Sequence, residues 1–508
     1  MKRIIIALFS FSIILAGCQD NSTINNGNIK NNLLTDFSED IDYNDFELVS
    51  AVEVDETDDT YYLNSYLDVE EEILYSNAKF NHTFKYDSNE LFINFYTNTF
   101  SSNDLSNVYV DSVMINGKSV DWTLNGDTLE NLHVEFEENY LKGDSITIEL
   151  EYAFMYLSDK RKIHQDPRMA SHNGRSTDFV TMFYYPIVAM RNDKGWQTDP
   201  HSDTGEVYYN DVRDYQVSIT APTEYVLSHS GVETSTELLG ENTKHNIYLR
   251  DGRDFSFSAS KDYFTYVKDV NGVKVSIVSL HNLDDKKDTL FQLVEDMFEF
   301  NERNIGPYIY DSLSLEYGHI FGMESTAATY CSYPNQYITT VHEIYHQWFY
   351  SMIGSNQGDE PWLDEGLTSF MTGAFFFDYP EYNEPQDYFD GYDVSNDEVQ
   401  PRVKHLYGGS VFEGMDTYME MQLSYPRAYG FYAYWYPTTV FKFYLDTYLD
   451  GNPEPYYEVF RAYYNEFVND IATTDDFFRI MEDKMGADAV DWFKEALGNA
   501  RQMKKENE

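Results

Sequence analysis

Cysteine and positive charge are both scarce in this chain of 508 residues. Its two cysteines, Cys18 and Cys331, cannot build a disulfide framework, so stability has to come from packing. Lys and Arg number 35 against 87 Asp and Glu, a formal net charge of -52. A surface of that sign repels nucleic acid and anionic lipid headgroups, which excludes both as general partners. An acidic coat keeps a chain solvated and also suits salty surroundings, and it identifies no substrate. The apolar run from Ile4 to Ile14 is too short to span a bilayer. What the chain does have is a hydrophobic share of 42%, with 17% aromatics, enough to build globular cores. At about 150 residues per domain the length predicts two or three domains.

Lys2 and Arg3 precede that apolar run, and the segment 1–17 reads as an export signal. The stretch "LAGC", ending at Cys18, resembles the lipobox of bacterial lipoproteins. That resemblance implies cleavage before Cys18, a lipid on Cys18 and a chain tied to the outer face of the cell membrane, extracellular or periplasmic. Loss of the signal leaves 33 basic against 87 acidic side chains, a net of -54. Cys331 then has no disulfide partner and reads as a small buried hydrophobe. Residues 18–50 carry the lipidated cysteine and a polar, Asn- and Asp-rich run without apolar period, which reads as a tether.

Between residues 51 and 262 short alternating runs recur, such as "ELFINFYTNTF", "SITIELEY" and "DYQVSITAP". In the last, Tyr215, Val217 and Ile219 share one face, the period of a half-buried strand. Asn116-Gly117, Asn125-Gly126 and Asn271-Gly272 are hairpin turn signals. This half is expected to be a mostly antiparallel β domain. From 263 to 508 the period changes; Leu290, Leu293, Val294, Met297 and Phe298 fall on one helical face, and further helical runs follow. The fold class is therefore α+β, a β domain followed by a helix-rich one.

The chemistry concentrates in "TTVHEIYHQWFY", residues 339–350. Val341, Ile344, Tyr345, Trp348, Phe349 and Met352 are at helical spacing, with Thr339 or Thr340 as the expected N-cap and Gly354 beyond the end. On such a helix His342 and His346 project from one side, close enough to share one Zn²⁺. Glu343 points slightly around the cylinder, where a general base would act on the water that the metal activates. Two histidines leave zinc underligated. Eighteen residues past His346, in "EPWLDEGLTSFMTG", Glu365 completes HExxH-x18-E, with Pro361 at an expected helix start and Glu365 one turn inside.

Together "HEIYHQWFY", "EPWLDEGLTSF" and "FGMES" resemble the aminopeptidase N and leukotriene hydrolase group of gluzincin zinc metallopeptidases, with weaker similarity over the β half at "YYPIVAMRNDKGW" and "DYQVSITAPTEYVLSHSG". The resemblance implies a thermolysin-like catalytic domain and hydrolysis of peptides. It places substrate contacts on Gly322, Met323 and Glu324, Glu324 holding the free amino group. It also implies an oxyanion-donating tyrosine, which aligns on Tyr436, with Tyr432 and Tyr434 as rivals. Phe321 and Ser325 depart from the family motif, as do Thr438 and Thr439. An aminopeptidase is the expected activity; an endopeptidase or dipeptidase on the same site, or a non-catalytic peptide-binding surface lipoprotein, are the alternatives.

Overall fold

The computed structural model describes residues 59–97, 108–125, 130–156, 170–172, 177–192, 195–198, 205–382 and 429–498. The signal segment, Cys18, the tether and Gly126 lie outside these residues. Alternation of apolar and polar side chains builds the first half into sheets. The largest has eight strands, in the order Val232–Leu239, Asn242–Gly252, Arg213–Pro222, Thr60–Asp68, Ile73–Thr83, Ser145–Met155, Val108–Ile115 and Lys118–Ser119. Its pairs are antiparallel except Thr60–Asp68, which runs parallel to Arg213–Pro222. Tyr215, Val217 and Ile219 are buried while Gln216 between them is exposed, the period-2 pattern of a strand with one face on a core. Asn116 and Gly117 both take positive φ, 50° and 70°, as the tight hairpin into Lys118–Ser119 requires.

Strands up to Ser256–Ser260 belong to this sheet and two smaller four-stranded ones, apart from the short hairpin pair Arg191–Asn192 and Gly195–Trp196; from Phe264 a different sheet begins. Its order is Phe264–Val270, Val273–Ser279, Ser312–Tyr317, Ala328–Cys331 and Gly322–Ser325. Asn271 and Gly272, again at positive φ, make the first hairpin. Val273–Ser279 and Ser312–Tyr317 are parallel and so need a crossover, which α1, Lys287–Asn304, supplies. All five apolar residues expected on one face of α1 are buried. The last strand, Gly322–Ser325, pairs antiparallel with Ala328–Cys331 and forms the sheet's edge.

Behind that edge lies α2, Tyr337–Tyr345. It begins earlier than the expected caps: Gln336 is the N-cap and Thr339 and Thr340 are inside the helix. Winding continues through π-type turns, Gln347–Met352, with non-helical angles at Phe349 and Tyr350. Among the described residues the remaining α-helices are α3 (Glu365–Asp378), α4 (Tyr436–Tyr448), α5 (Glu454–Phe467), α6 (Thr474–Met485) and α7 (Ala487–Gly498). One hydrophobic cluster runs from Tyr61 to Phe493 through both halves, and Cys331 is buried in it. Among the described residues no helix is long and apolar enough to cross a membrane.

Candidate metal centre

The i,i+4 spacing on α2 brings His342 and His346 together, ring centroids 4.8 Å apart. His346 is the last residue of regular winding, with αR angles, and its N–H donates to the His342 carbonyl. The acid comes from the next element. A 3-10 turn, Pro361–Leu363, leads through Asp364 into α3, so Glu365 stands at the first position of that helix and not a turn inside it. Gly366 lets α4 approach: a Cβ there would lie 2.7 Å from Pro437 Cβ.

Glu365 Oε2 lies 3.1 Å from His342 Nε2 and 3.4 Å from His346 Nε2. Donors set tetrahedrally at about 2.0–2.1 Å from a zinc ion are spaced about 3.3 Å from one another, so the residues present fit that ion. Two nitrogens and a carboxylate oxygen on rigid helices, with no thiolate, are the donor set of a hydrolytic zinc site. A second group, Glu324, His346 and Asp364, also meets within 4.8 Å. Because His346 is common to both, they form a single acidic nest.

His346 is held on both sides. Its Nδ1 donates to Asp364 Oδ1 at 2.5 Å, which fixes the proton there and frees Nε2 for the metal. Gln357 Nε2 donates to the other Asp364 oxygen at 2.6 Å and reaches Glu324 Oε1 at 3.4 Å. Gln347 ties the helix to the edge strand: its Nε2 donates to the Ser325 carbonyl and its Oε1 accepts from Ala327 N–H. Asp364, Gln357 and Gln347 were missed in the sequence, although Asp364 and Gln347 adjoin Glu365 and His346.

Burial sets the electrostatics. It pushes the Glu343 carboxyl well above its usual range, the neighbouring acids adding to the effect and His346 opposing it. It lifts Glu324 to about 7. Burial would raise Glu365 too, but His346 and His342 outweigh it and hold that group far below the ordinary range. Burial lowers His342; in His346 the same cost is overcome by the charges of Asp364, Glu324 and Glu365, and its pKa rises.

Glu343 abuts the edge strand, where a Cβ at position 322 would lie 2.5 Å from its Oε1; Gly322 is what makes the room. Strand alternation puts Gly322 and Glu324 on one face and Met323 and Ser325 on the other. Met323 is accordingly buried in the core, so its side chain offers nothing to a ligand and only its backbone remains. Ser325 donates to Asp254.

Tyr436 is not at the metal centre. Its hydroxyl donates to the Ala496 carbonyl of α7 at 2.6 Å. The tyrosine that meets the site is Tyr434, whose hydroxyl donates to Glu365 Oε1 and whose ring stacks on His342 at 5.9 Å. A π-type turn over Phe431–Trp435 precedes α4 and shifts the angular register, which residue spacing alone does not reveal. Burial, with Glu365 beside it, raises the Tyr434 hydroxyl well above the usual tyrosine range and keeps it a donor. Tyr432, the other rival, is buried with its ring 5.8 Å from that of Tyr436. Glu206 of the β half also acts on Tyr434 through its charge. Tyr208, two residues on, accepts from Gln357 N–H through its carbonyl.

No protein-family model matches the chain, and no curated protein matches it in sequence. Solved structures do match in fold. An M1 zinc metallopeptidase from Deinococcus radiodurans superposes with a TM-score of 0.61 at 12% identity, over 86% of this chain and 92% of that one. A mutant of that enzyme bound to a Tyr-Ser-Ala substrate gives 0.61 at 13% identity over the same shares. A two-domain M1 zinc metallopeptidase mutant bound to L-arginine gives 0.60 at 12% identity, over 86% and 93%. The chain thus has the fold of the M1 zinc metallopeptidases.

Proposed function

We propose that this chain is a zinc-dependent metallopeptidase that removes N-terminal residues from peptides. The observation that carries the reading is the convergence of His342, His346 and Glu365 at tetrahedral spacing, with Glu343 against the edge strand beside them. Bound there, zinc supplies Lewis-acid polarisation of a carbonyl and acidifies water. Glu343, its affinity for a proton raised by burial, takes the proton of the attacking water and hands it to the leaving amine. Tyr434 donates to the carbonyl oxygen as it becomes an oxyanion. Glu324, fixed on the edge strand, pairs with the α-ammonium and sets the first peptide bond in register. A similar solved structure is bound to a Tyr-Ser-Ala substrate, a peptide of the class proposed here.

The deciding experiment compares unblocked amino-acid amides with N-acetylated peptides on zinc-loaded protein. Hydrolysis of amides that Glu324→Ala depresses far more than any cleavage of blocked substrates supports amine anchoring; equal losses on both refute it. The chain is proposed to act at the cell surface through a lipid on Cys18, motivated by "LAGC" after the apolar run. Cys18→Ala should move it from the membrane to the soluble fraction, and retention at the membrane would remove that part of the reading.

A further inference from the structure

The β half contains a concavity that the metal chemistry does not use. It is formed where residues 82–86, 187–191 and 210–215 meet Trp196 and Arg253, and the space between atoms is about 560 Å³, its open mouth included. None of its lining residues belongs to the metal centre.

Its charge runs against that of the molecule. In a chain of net charge -52, four cations, Lys85, Arg191, Arg213 and Arg253, line this pocket with one acid, Asp211. Two of the cations are neutralised: Lys85 pairs with Asp211 at 2.6 Å, and Arg213 pairs with Asp59. The other two have no carboxylate partner among the described residues. Arg253 is buried and donates to the carbonyls of Asn210, Tyr350, Ser351 and Asp470. Arg191 donates from Nη1 to the Asp87 carbonyl, and its guanidinium lies 5.8 Å from the Tyr86 ring and 5.4 Å from that of Trp196.

The polar groups around this pocket are also unsatisfied. Asn210 is 4% exposed, and neither its carboxamide nitrogen nor its oxygen has a hydrogen-bond partner among the described residues. The same is true of Arg191 Nε and Trp196 Nε1. Three N–H donors and one acceptor without partners around one cavity call for a ligand that brings acceptors and a donor. Phe84, Ile187 and Trp196 supply apolar wall.

We propose that this pocket binds a small organic carboxylate that carries an adjacent N–H or O–H donor and a flat or branched apolar body, as an N-acylated amino acid does. Arg191 and Asn210 Nδ2 take the carboxylate, Asn210 Oδ1 accepts from the donor, and the body lies against Trp196 and Phe84. A planar monoanion suits the Arg191 guanidinium beside a carboxamide, because Arg253 is already committed to four backbone carbonyls and Lys85 and Arg213 to carboxylates. The site stands independently of the peptidase reading.

The test is isothermal titration of zinc-loaded protein with N-acetyl-L-phenylalanine, whose blocked amine gives Glu324 nothing to hold. N-acetyl-L-phenylalaninamide and inorganic phosphate are run alongside. Saturable one-site binding of the acid is expected, with Arg191→Met and the isosteric Asn210→Asp each weakening it at least about tenfold, the size of one lost charge-assisted bond. Thermal unfolding of both variants establishes that they are folded. Absence of saturable binding overturns the proposal. So does equal binding by folded variants, which would put the acid elsewhere, on the metal for example, or binding of the amide or phosphate as tight as that of the acid.

Discussion

Two tyrosines two residues apart make opposite predictions, and their comparison tests the site directly. Tyr434 reaches Glu365 and lies flat on His342, whereas Tyr436 points to the Ala496 carbonyl at 2.6 Å. Removing one oxyanion donor costs about 2.7–4 kcal/mol of transition-state stabilisation, so Tyr434→Phe should lower kcat on an amino-acid amide by about 10²–10³-fold. Glu343→Gln sets the reference floor, because loss of a general base costs about 10²–10⁴-fold. Tyr436→Phe removes a structural hydrogen bond worth about 0.5–1.5 kcal/mol, which in a chain of this length should lower the thermal midpoint by only about a degree and leave kcat within about twofold. Since Tyr434 also touches a metal ligand, the kinetics are run at saturating zinc and bound metal is measured on each variant. Full zinc content with near-normal turnover in Tyr434→Phe would refute the assignment. A larger kinetic loss in Tyr436→Phe would return the role to that residue.

Asp364→Asn removes the charge behind His346 and sets an amide against the donating Gln357, so zinc affinity should fall about 10–100-fold in a competition titration with a chelator; unchanged affinity would mean that Asp364 does not position the ligand. A second expectation concerns pH. Burial, with Arg213 adding, pulls His82 down to about 3 from an ordinary 6.5. Below 6.5 the unfolded chain therefore binds a proton that the folded chain refuses, and stability falls as pH drops from there toward 3. The slope from this group approaches about 1.4 kcal/mol per pH unit. His82→Gln should lose that part of the slope in denaturant melts between these limits, and parallel curves for the two proteins would refute it.

Elements whose signal is local could be read directly in the sequence. The apolar face of α1, the alternation at Tyr215, Val217 and Ile219, and the Asn116-Gly117 and Asn271-Gly272 turns each depend on residues within a few positions. The convergence of His342, His346 and Glu365 was accessible for the same reason: one helix turn presents two imidazoles, and a fixed interval presents the acid. What escaped depends on tertiary geometry. Gln336 precedes the helix without a side-chain cap bond, so no capping residue marked the true start of α2. The π-type turn before α4 brings Tyr434 to Glu365 and leaves Tyr436 on the Ala496 carbonyl, with no change in spacing to mark it. Gln357 joins Asp364 to Glu324, which lies 33 residues earlier in the chain, and the Arg191 pocket joins segments separated by many residues.

The nest around His346 explains why metal and fold belong together here. Glu324, Glu343, Asp364 and Glu365 are each no more than 6% exposed; the charges of Glu324, Asp364 and Glu365 raise the His346 pKa, and His346 in turn acts on Glu343. Four carboxylates buried around these two imidazoles would cost several kcal/mol for each charge left unpaired. Protons are one form of compensation, and they are what the raised pKa values of Glu324 and Glu343 express. A divalent cation is the other. His342, His346 and Glu365 would hold it, and its charge would offset the repulsion among the remaining acids. The acids that make this site expensive to bury are therefore the same groups that make it selective for a doubly charged ion, so zinc binding should contribute to folding stability as well as to catalysis.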